Sequence, residues 1–464
     1  MMNSGSEEDR GAESAGRFAR LGMALADWSE QWFPDAFVFA LVALILIALA
    51  GLAVGTALRD MIRYFGEGFW SIIPFTMQTA ISIIGGYIVA TSPPVYRLIR
   101  WLARVPRTPR GAVAFVAFFS TVTALLSYGL CMIFSGVLAR ETVRNVRGVD
   151  YRAIGAAAYV GAGSVWALGI ASSATLLMAT PSALPPSLLN ISGVIPMSRT
   201  VFTWQSLTMA AILMCSSVLV AYLSAPAHST KTVESFGVTE GFDLGVLPTR
   251  QTPAEWLEYA PVLSVAVGAM GITYIGQILA ARGPLAALDL TTYNLLFLML
   301  GLVLHWRPRS FTRAVNDSVP ATAGVLIQFP FYGAIFGIIT MSAIAGKMAR
   351  AFVHISTRNS YPVLVSLYSG AVGVFVPSGG SKWIIEAPYV LQAAKDLHVN
   401  LGWVVQIYNA AESLPNLVNP FFMLPILGIL KVRARDLVGY SLVQLMVNIG
   451  WVLFLTWSLA RTFE

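Results

Sequence analysis

Charge is what this chain has least of. Only 11% of its 464 residues are Asp, Glu, Lys or Arg, against 56% hydrophobic, less than half the charged share of an ordinary soluble domain. Apolar runs of bilayer-spanning length recur throughout, so the expected class is an all-α polytopic membrane protein. The formal charge of +7 comes from basic residues clustered in short loops, with no continuous basic face, which argues against nucleic acid as a partner. Cysteine is also scarce: Cys131 and Cys215 both lie in apolar runs, and no disulfide framework is indicated. His228, His305, His354 and His398 lack metal-ligand spacing, which argues against a metal enzyme. No P-loop is present, and the longest polar interruption, 225 to 256, is too short for a nucleotide domain. No cofactor is therefore expected. The spans hold no paired acids, metal motif or Ser/His arrangement, so an intramembrane enzyme is the weakest reading.

The first 16 residues are polar and acidic, without a basic segment leading into an apolar one, so they do not read as a cleaved signal peptide. They are expected to be disordered. From 17 to 33, Phe18, Leu21, Leu25, Trp28 and Trp32 recur at helical spacing with Arg17, Arg20, Asp27 and Glu30 between them. That pattern predicts an amphipathic helix lying along the interface as an anchor.

Apolar runs follow at 36–57, 68–92, 111–139, 153–180, 201–224, 257–281, 285–304, 318–345, 361–394, 403–430 and 437–460. With a cytoplasmic N-terminus, two crossings return the chain inside at Arg97, Arg100, Arg104, Arg107 and Arg110. The run 111–139 is then followed by Arg140, Arg144, Arg147 and Arg152, so the positive-inside rule places both of its ends on the cytoplasmic face. A re-entrant hairpin broken at Ser127, Tyr128 and Gly129 satisfies this, and such backbone belongs against protein or a wet cavity. Single crossings elsewhere put 20 Lys or Arg inside and 9 outside, with Lys382 in the membrane. Lys347, Arg350 and Arg358 fall outside in this scheme.

An offset of 250 brings Gln78 onto Gln328, each after a segment containing an acid, Glu67 or Asp317. A long run broken by SYG or PSGG follows in each half, then 153–180 or 403–430. Each pair runs in opposite directions, the inverted-repeat plan of secondary transporters. The expected division is a first repeat over 34–224 with a hairpin at 111–139, a cytoplasmic loop and linking helix over 225–284, and a second repeat over 285–460 with a hairpin at 361–394. About nine helices then span. A glycine-rich kink at a packing contact is the alternative reading of PSGG.

Hairpin tips expose free N–H and C=O groups that suit an anion and a cation. Ser378, Gly379, Gly380 and Ser381 would admit a carboxylate to the backbone, with Ser127, Tyr128 and Gly129 opposite. Lys382 and Glu386 stand four residues apart. They either pair, easing a burial cost of order 3 kcal/mol for a lone Lys, or leave Lys382 for a substrate carboxylate. Glu412 interrupts a run with Asn409, Asn416, Asn419 and two prolines. It is a candidate proton carrier, or part of a cation site with those amides; alternatively it bonds a backbone group freed by Pro415. The matching first-half segment offers only Gly, Ser, Thr and Trp166.

The series FGEGFW (65–70), Tyr-Gly at the first tip, LARETVR (138–144), QFPFYG (328–333), VPSGG with Lys382-Trp383, and Glu412, Asn416 and Pro420 resembles the bacterial short-chain fatty acid transporter family, the acetoacetate and butyrate type. The similarity runs from about Arg17 to Leu459. The resemblance implies an ion-transporter-superfamily fold with an elevator motion, an inner-membrane location and, by analogy, a homodimer. It places Ser378, Gly379, Gly380, Trp383, Glu412 and Asn416 beside the substrate. The family pattern has a third Gly then His or Gln at Ser381 and Lys382, Gln-Gly-Pro at Glu386, Ala387 and Pro388, and Asn-Trp-Gly at Ser127, Tyr128 and Gly129. The implied activity is secondary transport of a short monocarboxylate, coupled to H+ or Na+, with hydroxy, keto or dicarboxylic acids as nearest competitors. A cation/proton antiporter on the same scaffold is the other reading.

Overall fold

The computed structural model describes residues 36–227, 231–238, 247–285, 287–375 and 379–463. The expected tail at 1–16 and interfacial helix at 17–33 lie outside them. The described residues form helices without a β-strand. In the first half these are α1 (Ala36–Ala53), α2 (Leu58–Ser71), α3 (Ile73–Ala90), α4 (Pro93–Leu102), α5 (Pro109–Leu126), α6 (Tyr128–Asn145), α7 (Tyr151–Ser164), α8 (Ser173–Ala179), α9 (Pro186–Ser192) and α10 (Trp204–Ser224). The linker carries α11 (Glu255–Tyr259) and α12 (Val262–Arg282). The second half holds α13 (Leu290–His305), α14 (Pro308–Ser318), α15 (Ala323–Met341), α16 (Ile344–Ile355), α17 (Tyr361–Phe375), α18 (Gly379–Asp396), α19 (Leu401–Asn416), α20 (Pro420–Leu430) and α21 (Ala434–Ala460).

Helices starting at 58, 73, 93, 109, 128 and 151 recur with starts at 308, 323, 344, 361, 379 and 401. The duplication that two glutamines suggested therefore extends through six consecutive helices. Local sequence fixes where they begin. Asp150 accepts from the N–H groups of Arg152 and Ala153 at 3.0 and 3.1 Å, Asp289 from Thr292 at 2.8 Å, and Asn400 from Trp403 at 3.0 Å. Each cap satisfies donors that the first turn leaves unpaired. Pro93, Pro109 and Pro308 open their helices, where no N–H is needed.

Both broken runs double back. Across Ser127, the rings of Phe119 and Phe134 stack at 6.1 Å and Cys131 Sγ donates to the Ser120 carbonyl at 3.3 Å. In the second hairpin, Tyr361 donates to the Val390 carbonyl at 2.5 Å and the hydroxyls of Tyr368 and Tyr389 meet at 2.8 Å. Contacts this far apart along the chain, centred on the break, require antiparallel arms. After each hairpin comes a discontinuous helix: α7 gives way at Ser164 to a short turn before α8, and α19 ends at Asn416 before α20.

The basic segments gather at one end. Asn145 donates to the Ala103 carbonyl, Arg110 to that of Ala225, Arg140 to that of Ile429 and Tyr151 to that of Leu430. At the other end Lys395 reaches the Ile191 carbonyl and Gln205 reaches Thr462. Seven helical stretches among the described residues are long and apolar enough to cross a membrane, with shorter apolar helices beside them. Burial separates them: 94% of the apolar window in 151–179 is buried, against 17% in α12. The broken segment is thus central, and α12 faces the apolar surroundings.

Where α2 crosses α15, glycines replace side chains. A Cβ on Gly68 would lie 2.6 Å from the Gly333 carbonyl oxygen and 2.7 Å from Gly337 Cα, whereas one on Gly66 would meet nothing within 4 Å. Gly68→Leu is therefore expected to cost about 1–3 kcal/mol by overpacking, and Gly66→Leu no such loss, with a gain of up to about 1 kcal/mol from helix propensity. Thermal unfolding of the two variants in detergent checks this; equal midpoints would refute the crossing.

Candidate substrate and ion site

The second hairpin and α19 build a charged cluster inside the protein. Lys382, on the first turn of α18, is fully buried, as are Glu386 and Glu412. Its ammonium donates to Glu386 Oε1 at 3.3 Å and to the Ser369 carbonyl at 2.9 Å. It stands 3.1 Å from Glu412 Oε2, an ion-pair distance. The Tyr408 ring lies 4.2 Å below Nζ, completing a cation–π contact. Ser369 in turn donates to Glu386 Oε2 at 2.5 Å.

The helical period explains how these groups meet. Lys382 and Glu386 share a face of α18, as Tyr408 and Glu412 share a face of α19, each pair four residues apart. Ser369 approaches from α17. Gly373 keeps this wall thin: a Cβ there would sit 2.7 Å from Pro415 Cγ and 3.3 Å from Glu412 Oε2. In this conformation the Lys382 ammonium is engaged by protein groups. It is paired with both acids, not with Glu386 alone, because hairpin folding brings α19 onto α18.

The described tip residues are packed. Gly379 abuts Trp166, whose ring would be 2.9 Å from a Cβ there, and Gly380 abuts Phe75 at 2.8 Å. The room left by the missing side chains is filled by aromatic rings in this conformation. Tyr408 OH donates to the Gly379 carbonyl at 2.6 Å, and Trp383 lies against the same ring, centroids 4.7 Å apart. Pro377 and Ser378 lie outside the described residues, and so does the side chain of Ser381. At the first tip, Ser127 caps α6 by accepting from the Leu130 N–H at 3.4 Å, and Gly129 packs on the Ile83 carbonyl of α3. Tyr128 points the other way: its ring meets Trp166 edge-on at 5.8 Å, and its hydroxyl donates to the Phe422 carbonyl at 2.9 Å. Trp166 therefore links the two tips.

The three asparagines divide. Asn409 donates to Thr175 at 2.9 Å and accepts from Ser172 at 3.0 Å, so it clamps α19 to the first-half break. Asn419 lies between α19 and α20, its N–H donating to the Pro415 carbonyl at 3.1 Å. Asn416, one turn beyond Glu412, is buried with neither amide atom partnered, while its carbonyl accepts from Tyr159 at 2.5 Å. The indole N–H groups of Trp166 and Trp383 also lack partners. Native interiors rarely leave such groups unpaired. Tyr408, Ser369, Gly373 and Phe75 are site residues that sequence reading missed; a Tyr four residues before an intramembrane acid was the one available signal.

Two hairpins and two broken helices converging on buried charge define a membrane carrier of the inverted-repeat kind. Two solved structures share this architecture: the YdaH transporter of Alcanivorax borkumensis (TM-score 0.58, 13% identity, 92% of this chain and 99% of that one) and MtrF of Neisseria gonorrhoeae (0.57, 13%, 94% and 97%). The chain belongs to the short-chain fatty acid transporter family, whose description matches residues 17–459. Relatives named as candidate short-chain fatty acid transporters in Escherichia coli (strain K12) and Haemophilus influenzae are 31% and 30% identical. The alignments span 94% and 92% of this chain and 99% and 97% of theirs. It is a transporter and not an enzyme.

Proposed function

We propose that this protein is a secondary active transporter of short-chain monocarboxylates, taken up across the bacterial inner membrane with the N-terminus in the cytoplasm. The observation that carries this is the set of unpartnered buried N–H donors, Trp166, Trp383 and Asn416, borne by elements that flank Gly379 and Glu412. A carboxylate offers the acceptors such donors lack. Lys382 already answers two acids, which favours one carboxylate on the substrate over two. The names of the relatives point to the same class.

Both hairpins act as re-entrant elements in a mobile transport domain, the second opening from the Phe75 and Trp166 rings to admit substrate. The remainder forms the scaffold of an elevator, and a homodimer would steady it. Residues assigned to the substrate are Ser378, Gly379, Gly380, Ser381, Trp383 and Asn416, with Tyr128 acting through Trp166. Purified protein in liposomes tests the reading through uptake of labelled butyrate and acetoacetate, with protein-free vesicles giving passive entry of the acid forms. Saturable, protein-dependent uptake is expected. Sodium-driven proton movement without uptake of any acid would replace this reading with cation/proton antiport.

A further inference from the structure

Lys382 does more than satisfy Glu386. Its ammonium sits among two carboxylates, a main-chain carbonyl and an aromatic face, at 3.3, 3.1, 2.9 and 4.2 Å. Carboxylate and carbonyl oxygens contributed by a hairpin arm and a broken helix are the ligand set that a hard monovalent cation takes in a carrier. Here that place is filled by a cation covalently attached to the chain. A sodium ion entering the same oxygens would meet a like charge at contact distance in a water-poor interior, where repulsion is strongest.

We propose that Lys382 is a tethered substitute for a coupling sodium ion, so that transport runs without Na+ and a proton on Glu412 balances the cluster. This rests on the carboxylate-transport reading for its substrate but not for its ion. The balance follows from the groups that face one another. From α18 come Lys382, Glu386 and Tyr389; from α19, Tyr408 and Glu412; from α17, Tyr361, Tyr368 and Ser369. One ammonium against two carboxylates leaves one negative charge in excess, and all three groups are fully buried. Glu386 already accepts from both Lys382 and Ser369. Glu412 Oε1 accepts from nothing, and Asn416 Oδ1, one turn away, is without a donor. A proton on Glu412 would neutralise the excess charge, and its arrival and departure require no other ion.

The experiment measures saturable 22Na+ binding to purified protein and, separately, the initial rate of labelled acetoacetate uptake in proteoliposomes with Na+ or choline outside at equal pH. For the native chain the proposal expects no 22Na+ displaceable by unlabelled Na+, and rates within about twofold of each other. In Lys382→Met the vacated oxygens should bind Na+, and Na+ but not K+ should raise the thermal midpoint and increase uptake about tenfold, the scale of a modest site-to-site coupling. If Lys382→Met does not fold, Lys382→Met/Glu386→Gln, which restores the native net charge, takes its place. Displaceable 22Na+ on the native chain, or Na+ raising its rate about tenfold, overturns the proposal; so does a folded variant of either kind without saturable Na+ binding. Absence of all acid uptake would instead overturn the substrate reading and leave the ion-binding result standing.

Discussion

Lys382→Met lowers the stability of the protein by about 3–5 kcal/mol, the scale for removing one partner of a buried ion pair and stranding the other. The loss is at the upper end because two carboxylates are stranded, Glu386 and Glu412. Counting charge ranks the remaining variants. With Glu412 ionised, the native cluster carries one negative charge in excess, Lys382→Met carries two, and Glu412→Gln or Glu386→Gln carries none. Stability should therefore fall in the order Glu412→Gln, native, Lys382→Met. Lys382→Met/Glu386→Gln should recover part of the loss, a coupling that contacting charges show and distant ones do not. Thermal inactivation midpoints in one detergent at low Na+ test the ranking. If Lys382→Met melts with the native protein, the cluster does not hold the second hairpin to α19.

The spans were readable because lipid forbids polar residues, so each apolar run announced a helix. The short amphipathic helices α2, α4, α14 and α16 were not, because they carry charges or breakers at nearly every turn and no apolar run forms. Ser127 and PSGG showed as breaks for the opposite reason, polarity where the pattern demanded none. At the site, Glu412, Lys382 and Glu386 stood out as ionisable residues inside apolar runs. Their mutual contact did not, since Lys382 and Glu412 lie on different helices and no periodicity connects them. The i,i+4 spacing pointed to Glu386 alone. Gly379 and Gly380 signalled close approach, but not that Trp166 and Phe75 make it, because an aromatic in an apolar run carries no mark of its partner. Asn409, expected with its neighbours as an ion ligand, also joins the halves through Ser172 and Thr175.

Glu412→Gln removes the excess charge, keeps the shape and leaves Lys382 a neutral pair with Glu386, so the variant should fold and reach the membrane normally. Its transport should change sharply. If Glu412 carries a coupled proton as proposed, a one-unit pH gradient acting on it is worth about 1.4 kcal/mol, or tenfold in accumulation. Gln cannot release a proton, so the saturable part of acetoacetate uptake should no longer respond to an acid exterior. Exchange of labelled for unlabelled substrate at equal pH should continue at a reduced rate, because under the proposed mechanism it requires no net proton movement. Acetoacetate suits this test better than butyrate, because its keto group makes passive crossing of the acid form costlier. If the gradient still drives saturable uptake in Glu412→Gln, the proton travels elsewhere, and Glu386, the other carboxylate touching Lys382, becomes the group to replace.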